Sequence, residues 1–270
     1  LKDAAEQTCQ TSHSENAAHS LERTLYMIQR SIGPLLLFSV CLTTAIAQPL
    51  RPRVLIFSKT NGYHHASIPD GIAAIIQLGK EHGFDADTTT NTAWFTADTL
   101  SHYAALVFLS PSGDLFTPEQ KTAFQQYIRG GGGFAGIHAA STPEKSWTWY
   151  GHLVGAVFNG HPPDPVPGTI IVADHDHAAT RHLSERWKWK DEWYNFRNIV
   201  PGLHVLLKAD ETSYQGGTHG PNHPLAWYHA YDGGRAFYTA LGHLPEAYQD
   251  PLFLQHISGG IQYAIGIPQQ

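Results

Sequence analysis

Short polar constellations with side chains suited to acid–base or metal chemistry recur along this chain. The first is Gly130-Gly131-Gly132-Gly133-Phe134-Ala135-Gly136-Ile137-His138-Ala139-Ala140. It reads as a helix end, a short apolar strand and a tight small-residue turn that carries His138. Open α/β sheets place their ligands at the carboxyl ends of strands, so His138 stands where chemistry is expected. The layout is that of a nucleophile elbow with histidine in place of Ser or Cys. Gly62-Tyr63-His64-His65, Gly160-His161-Pro162-Pro163, Asp191-Glu192-Trp193-Tyr194 and Ala240-Leu241-Gly242-His243 complete the set. Neutral imidazole serves as a general base or as a metal ligand, and either use is open to His138. Asp191 and Glu192 are neighbours, so in a strand only one can face a site. Glu192 is preferred because Tyr194, two residues on, shares its face.

The expected catalytic set is therefore His138, Glu192 and His243. The same three are the expected ligands if a metal is held. No motif demands a cofactor, but Zn suits imidazole plus carboxylate. His65, His161, Tyr194, Trp149 and Trp193 are expected to bind substrate, the two tryptophans by stacking their apolar faces on a ligand ring. Asp174-His175-Asp176-His177 looks like a ligand cluster, yet consecutive acids and histidines on a loop seldom fix closed geometry; a solvated turn is expected there.

Strand–helix alternation must position these groups. Val54–Phe57, Phe84–Thr89 and Ala105–Leu109 are short buried-strand runs. Ser67-Ile68-Pro69-Asp70 opens a helix that Gly83 ends, and Thr117-Pro118-Glu119-Gln120 opens another as a capping box. The second half is richer in aromatics and turns. Tyr150–Phe158 reads as a short helix, Thr169–Val172 and His204–Lys208 as strands, and Asp232-Gly233-Gly234 as a hairpin turn between Ala226–Tyr231 and Arg235–Leu241. Pro251–Ile265 reads as a closing helix. This order predicts an α/β fold with a parallel sheet covered on both faces.

Met27 is the only methionine. Arg30, the apolar run Ile32–Ile46 and Ala45-Ile46-Ala47 read as a secretory signal cleaved before Gln48. The expectation is an upstream extension over 1–26, a signal peptide over 27–47 and one domain over 48–270. That places the protein outside the cytoplasm, periplasmic or secreted, with no membrane span after cleavage. Both cysteines, Cys9 and Cys41, precede Gln48, so stability must come from a core and not from disulfides. With a net charge of −6 and no basic stripe, nucleic acid is excluded as a partner. Abundant His, Trp and Tyr suit a polar small molecule.

From Arg53 to Gly266 the chain resembles ThuA-like proteins, named for trehalose utilisation, within the class I glutamine amidotransferase-like superfamily. The likeness rests on Phe57-Ser58-Lys59-Thr60, the Gly133–Ala140 run, Trp149-Tyr150-Gly151, Gly160-His161-Pro162-Pro163, Asp191-Glu192-Trp193-Tyr194 and Thr239-Ala240-Leu241-Gly242-His243. Where relatives often read His-Pro-Ala-Thr, this chain has His177-Ala178-Ala179-Thr180. The resemblance implies a flavodoxin-like three-layer sandwich with a mostly parallel central sheet. It also implies action on a sugar, a disaccharide or its 3-keto derivative, by isomerisation, elimination or hydrolysis. Amidotransferases carry Cys at the elbow; this chain has no Cys after Gln48, so glutaminase chemistry is excluded. The competing expectation is a non-catalytic carbohydrate-binding protein that keeps the fold without its nucleophile.

Overall fold

A computed structural model describes residues 50–268. The expected extension and signal segment, residues 1–47, lie outside the described residues. The strands are β1 (Arg53–Phe57), β2 (Asp85–Thr89), β3 (Ala105–Leu109), β4 (Gly133–Ile137), β5 (Val157–Phe158), β6 (Val166–Val172), β7 (Arg186–Asp191), β8 (Phe196–Arg197), β9 (His204–Ala209), β10 (His223–Tyr231) and β11 (Gly234–Thr239). The helices are α1 (Ile68–His82), α2 (Ala97–Leu100), α3 (Pro118–Arg129), α4 (Thr148–Val154) and α5 (Pro251–Ile265).

The central sheet has the order β2-β1-β3-β4-β11-β10-β9-β6-β7. It is parallel from β2 to β11 and antiparallel from there to β7. The parallel half follows from composition. Ala105-Leu106-Val107-Phe108-Leu109 and Gly133-Phe134-Ala135-Gly136-Ile137 are buried at every position, as a strand covered on both faces must be. Each fully buried Leu, Val or Phe contributes about 1.5–3 kcal/mol, so these strands anchor the core. One face packs against α1 and α5, which touch each other. The other carries an aromatic cluster of Phe57, Phe95, Phe108, Phe124, Phe134 and Tyr150 beneath α3 and α4. Sheet and two helical layers make the flavodoxin-like sandwich. The free edge at β7 alternates buried Trp187 with exposed Lys188 and Lys190, a charged border that discourages pairing with another chain.

The glycine run has two distinct duties. Gly131 takes a left-handed conformation (φ +93°) that turns the chain out of α3. Gly133 lets β4 pass beneath the end of α5: a Cβ there would lie 1.9 Å from the Ala264 carbonyl oxygen. Two local expectations change. Helix α4 stops at Val154, where Gly155 is left-handed, and Val157–Phe158 instead pairs with Phe196–Arg197. Ser67 does not cap α1 through its side chain; its hydroxyl donates to the Gly242 carbonyl, 3.2 Å away. Among the described residues no helix is long and apolar enough to cross a membrane.

Candidate functional site

His138 is the first residue beyond β4 and has φ +51°, a conformation that costs a non-glycine residue about 1–3 kcal/mol. Its surroundings over-determine it. The Tyr238 hydroxyl donates to the His138 carbonyl (2.8 Å) and contacts Ser141 Oγ (2.8 Å), while the Tyr150 hydroxyl donates to the Ala140 carbonyl (2.7 Å). His138 Nδ1 lies 2.7 Å from the Ala240 carbonyl oxygen and must donate to it. Its Nε2 therefore keeps a lone pair when the ring is neutral.

Around that one nitrogen stand more partners than a single lone pair can serve. His65 Nε2 and His243 Nδ1 are each 3.2 Å from it, Tyr194 Oη is 3.0 Å away and Glu192 Oε2 3.5 Å. Glu192 Oε2 is also 3.0 Å from His243 Nδ1. The four donor atoms of His65, His138, Glu192 and His243 all lie within 4.8 Å of one another. In tetrahedral zinc sites with bonds of about 2.0–2.1 Å, donor atoms stand roughly 3.3 Å apart. The separations at His138 match such edges, and this His/Glu group could hold a metal.

The electrostatics suit ligands. Burial, helped by the neighbouring His138 and His243, pulls the His65 pKa down to about 3, so its ring is neutral at neutral pH. Burial opposes ionisation of Glu192, but the His138 and His243 imidazoles, 3.5 and 3.0 Å from its Oε2, outweigh it and hold the carboxyl well below its usual range. Burial raises the Tyr194 pKa far above that of a free phenol, an effect reinforced by Tyr238 and Glu192; the hydroxyl stays protonated.

Asp191 does not enter the centre; it clamps it. Fully buried, it accepts through Oδ1 from the backbone N–H groups of Glu192 (2.9 Å) and His243 (3.1 Å). Its Oδ2 accepts from the Gly242 N–H (2.8 Å) and Trp189 Nε1 (2.9 Å). One carboxylate thus ties together the backbones that carry two of the four donors. Strand β7 ends at Asp191, so Glu192 projects from the loop beyond the strand. That loop is pinned by His223, whose Nε2 bonds the Tyr194 carbonyl (2.8 Å) while its Nδ1 meets Glu211 Oε1 (2.7 Å).

The centre opens into a cleft of about 820 Å³ lined by His65, Glu192, Tyr194 and His161 together with Tyr63, Asp114, Thr142, Lys145 and Phe158. His161 sits at the rim with Nε2 3.7 Å from Glu192 Oε1 and its ring stacked beside Tyr194. The two tryptophans are not brought there. Trp193 is fully buried, donates to the Val166 carbonyl (3.0 Å) and stacks on Tyr214, so no sugar can reach its face. Trp149 bonds Asp232 (2.7 Å) in the β10–β11 turn, at the opposite end of the sheet from His138. Asp174 instead forms a local turn by accepting from the Asp176 N–H, and His177 Nδ1 accepts from the Ala179 N–H. Missing from the sequence reading were Lys145 and Phe158, which carry no motif signal, and the exposure of Tyr63, although its Gly-Tyr-His-His stretch stood out.

Comparison with known proteins fits this picture. The family described as ThuA, trehalose utilisation, matches residues 53–264. No functionally curated protein matches the sequence. A ThuA-like protein from Bacteroides uniformis is similar in structure at 21% identity and TM-score 0.67, covering 82% of this chain and 94% of that one. Another, from Parabacteroides merdae, gives 20% identity and TM-score 0.64 over 83% and 92%. A β-galactosidase from Bacillus circulans shares the fold over 81% of this chain but only 32% of its own, at 12% identity and TM-score 0.52. At such identities the solved structures speak for the fold alone, whereas the family match runs through every element that supplies the centre: this chain belongs to the ThuA, trehalose utilisation, family.

Proposed function

We propose that the protein is a sugar-acting enzyme whose His65–His138–Glu192–His243 centre holds a divalent metal, zinc by preference, and processes a disaccharide in its 3-keto form. The observation that supports this most directly is the crowding at His138 Nε2, where partners at 3.0–3.5 Å exceed what one lone pair can satisfy. A metal there would supply Lewis acidity to a carbonyl or hydroxyl oxygen of the sugar. Glu192 turns Oε2 to His243 and leaves Oε1 toward His161 and the cleft, placed to take a proton from the carbon beside a keto group. With the ketone at C3, losing the C2 proton lets the electron pair form a C1–C2 double bond as the C1–O bond breaks. The proton taken by Glu192 passes to the departing oxygen, so that the second sugar leaves as an alcohol. Enolisation alone begins an isomerisation; addition of water after the elimination completes a net hydrolysis. Tyr194, kept protonated, can hydrogen-bond a developing oxyanion. The reading also places the protein outside the cytoplasm, on the Met27–Ala47 pattern, as one domain from residue 48 onward. N-terminal sequencing of the exported product checks that part.

The test combines metal analysis with turnover of 3-keto-trehalose. About one zinc per chain and consumption of the keto-sugar are expected, with both lost in His138→Ala. Full turnover by His138→Ala would remove the centre from the reaction. Tight sugar binding with no product in the zinc-loaded protein would favour a carbohydrate-binding role.

A further inference from the structure

We propose that Tyr63 is the platform for the second ring of a two-ring sugar and so sets a preference for disaccharides over monosaccharides; this rests on the sugar-processing reading of the same cleft. Tyr63 is 68% exposed, and among the described residues it is the only aromatic side chain among the large exposed hydrophobics. The exposure is not a result of a loose loop. The Gly62 N–H donates to Ser112 Oγ (3.2 Å), Ser112 Oγ donates to the Tyr63 carbonyl (2.7 Å), and Asn61 bonds the Ser112 and Asp114 carbonyls through its N–H (2.8 Å) and Nδ2 (2.7 Å). A pinned loop therefore holds a large flat ring in water at the mouth of the cleft. Exposing such a surface forgoes burial, which a ligand ring laid on it would recover.

The position matches the second ring of a substrate. The Tyr63 ring lies 4.7 Å from that of His65, which is only 4% exposed and belongs to the centre. A first ring at the centre would thus carry its neighbour outward past Tyr63. The same cleft offers Phe158, 4.4 Å from Tyr194, with Lys145 Nζ 5.3 Å from its centroid, and the exposed Asp114. Pyranose rings pair an apolar C–H face with a hydroxyl rim, so an aromatic ring beside a flexible cation and a carboxylate fits them. A volume of about 820 Å³ gives room for more than a single sugar ring.

The experiment measures affinities of the zinc-loaded protein for 3-keto-trehalose and 3-keto-glucose by calorimetry, in wild type, Tyr63→Ala and Tyr63→Phe. Wild type is expected to prefer the disaccharide by about tenfold. One ring contact accounts for about two- to tenfold, so Tyr63→Ala should lose most of the preference and Tyr63→Phe keep it. Because Tyr63 is exposed, neither variant endangers folding. Equal affinities in wild type, or a preference that survives Tyr63→Ala, would overturn the platform and leave the centre's role standing. Failure of both sugars to bind wild type would overturn the sugar reading and the platform with it.

Discussion

Replacing Asp191 by Asn tests whether the centre is held by one carboxylate. The side chain is fully buried, and its two oxygens accept from four N–H groups at 2.8–3.1 Å. An amide keeps the shape but turns one oxygen into a donor. Whichever way it is oriented, two N–H groups then face an NH2 and lose their acceptor. Hydrogen bonds to a charged group contribute about 1.5–3 kcal/mol each, so the loss of two is about 3–6 kcal/mol. If the amide places its NH2 toward Gly242 and Trp189, the Glu192 and His243 amides stay bonded; the reverse releases both donor-bearing backbones. The released turn takes His243 out of register, and removing such an outer support typically weakens a metal site 10–100-fold. Urea unfolding of the apo-protein and competitive zinc titration are the assays. An Asp191→Asn protein that unfolds within about 0.5 kcal/mol of wild type and binds zinc equally well would refute the clamp.

Acid should destabilise the protein from a pH at which carboxylates are still ionised. His256 is fully buried, its nitrogens bonded to the Ala179 carbonyl (2.8 Å) and Thr239 Oγ1 (3.1 Å), and burial lowers its pKa to about 3; His177 is pulled down to about 4 in the same way. The unfolded chain takes up these protons near pH 6.5 and the folded one does not. Stability is therefore full above about pH 6.5 and falls below it, by up to about 1.4 kcal/mol per pH unit for each such histidine, until the folded pKa is reached. Urea midpoints that stay level from pH 7 to 5 would contradict this. Chelation is expected to lower Tm: metal at a hundred times its Kd stabilises by about 2.7 kcal/mol, or roughly 5–10 °C for a domain of this size. Zinc should restore the loss; a Tm indifferent to both chelator and zinc would count against a bound metal.

The parallel half was legible because strands buried on both faces read as unbroken apolar runs, as Ala105–Leu109 does. Strand alternation favours Glu192 over Asp191, and the two side chains do part, one to the centre and one to the clamp. The cause is not alternation: the strand ends at Asp191, and Glu192 stands on the loop beyond it. Ser67 shows where local reasoning stops. Its type and place suit a helix cap, but tertiary packing offers its hydroxyl a carbonyl 175 positions along the chain. Trp149 and Trp193 show a second limit. Indole burial and indole–sugar stacking draw on the same apolar surface, so residue type cannot separate them. His65 joined the donor set only when the fold brought its loop over His138.

The join between parallel and antiparallel strands has a kinetic consequence. His65 and His138 belong to the parallel half, His243 follows the last strand of that half in space but comes late in the chain, and Glu192 arrives from beyond the far edge at β7. Closing such distant contacts is slow, because loop entropy is lost before any of them is made. A nascent chain that has folded only through β4 carries His65 and His138 without their partners. The proposed metal affinity would then arise with the last long-range docking step, so a bound metal would act on the unfolding rate far more than on the folding rate. If the centre holds zinc as proposed, gain of zinc binding during refolding would be a clock for completion of the whole sheet.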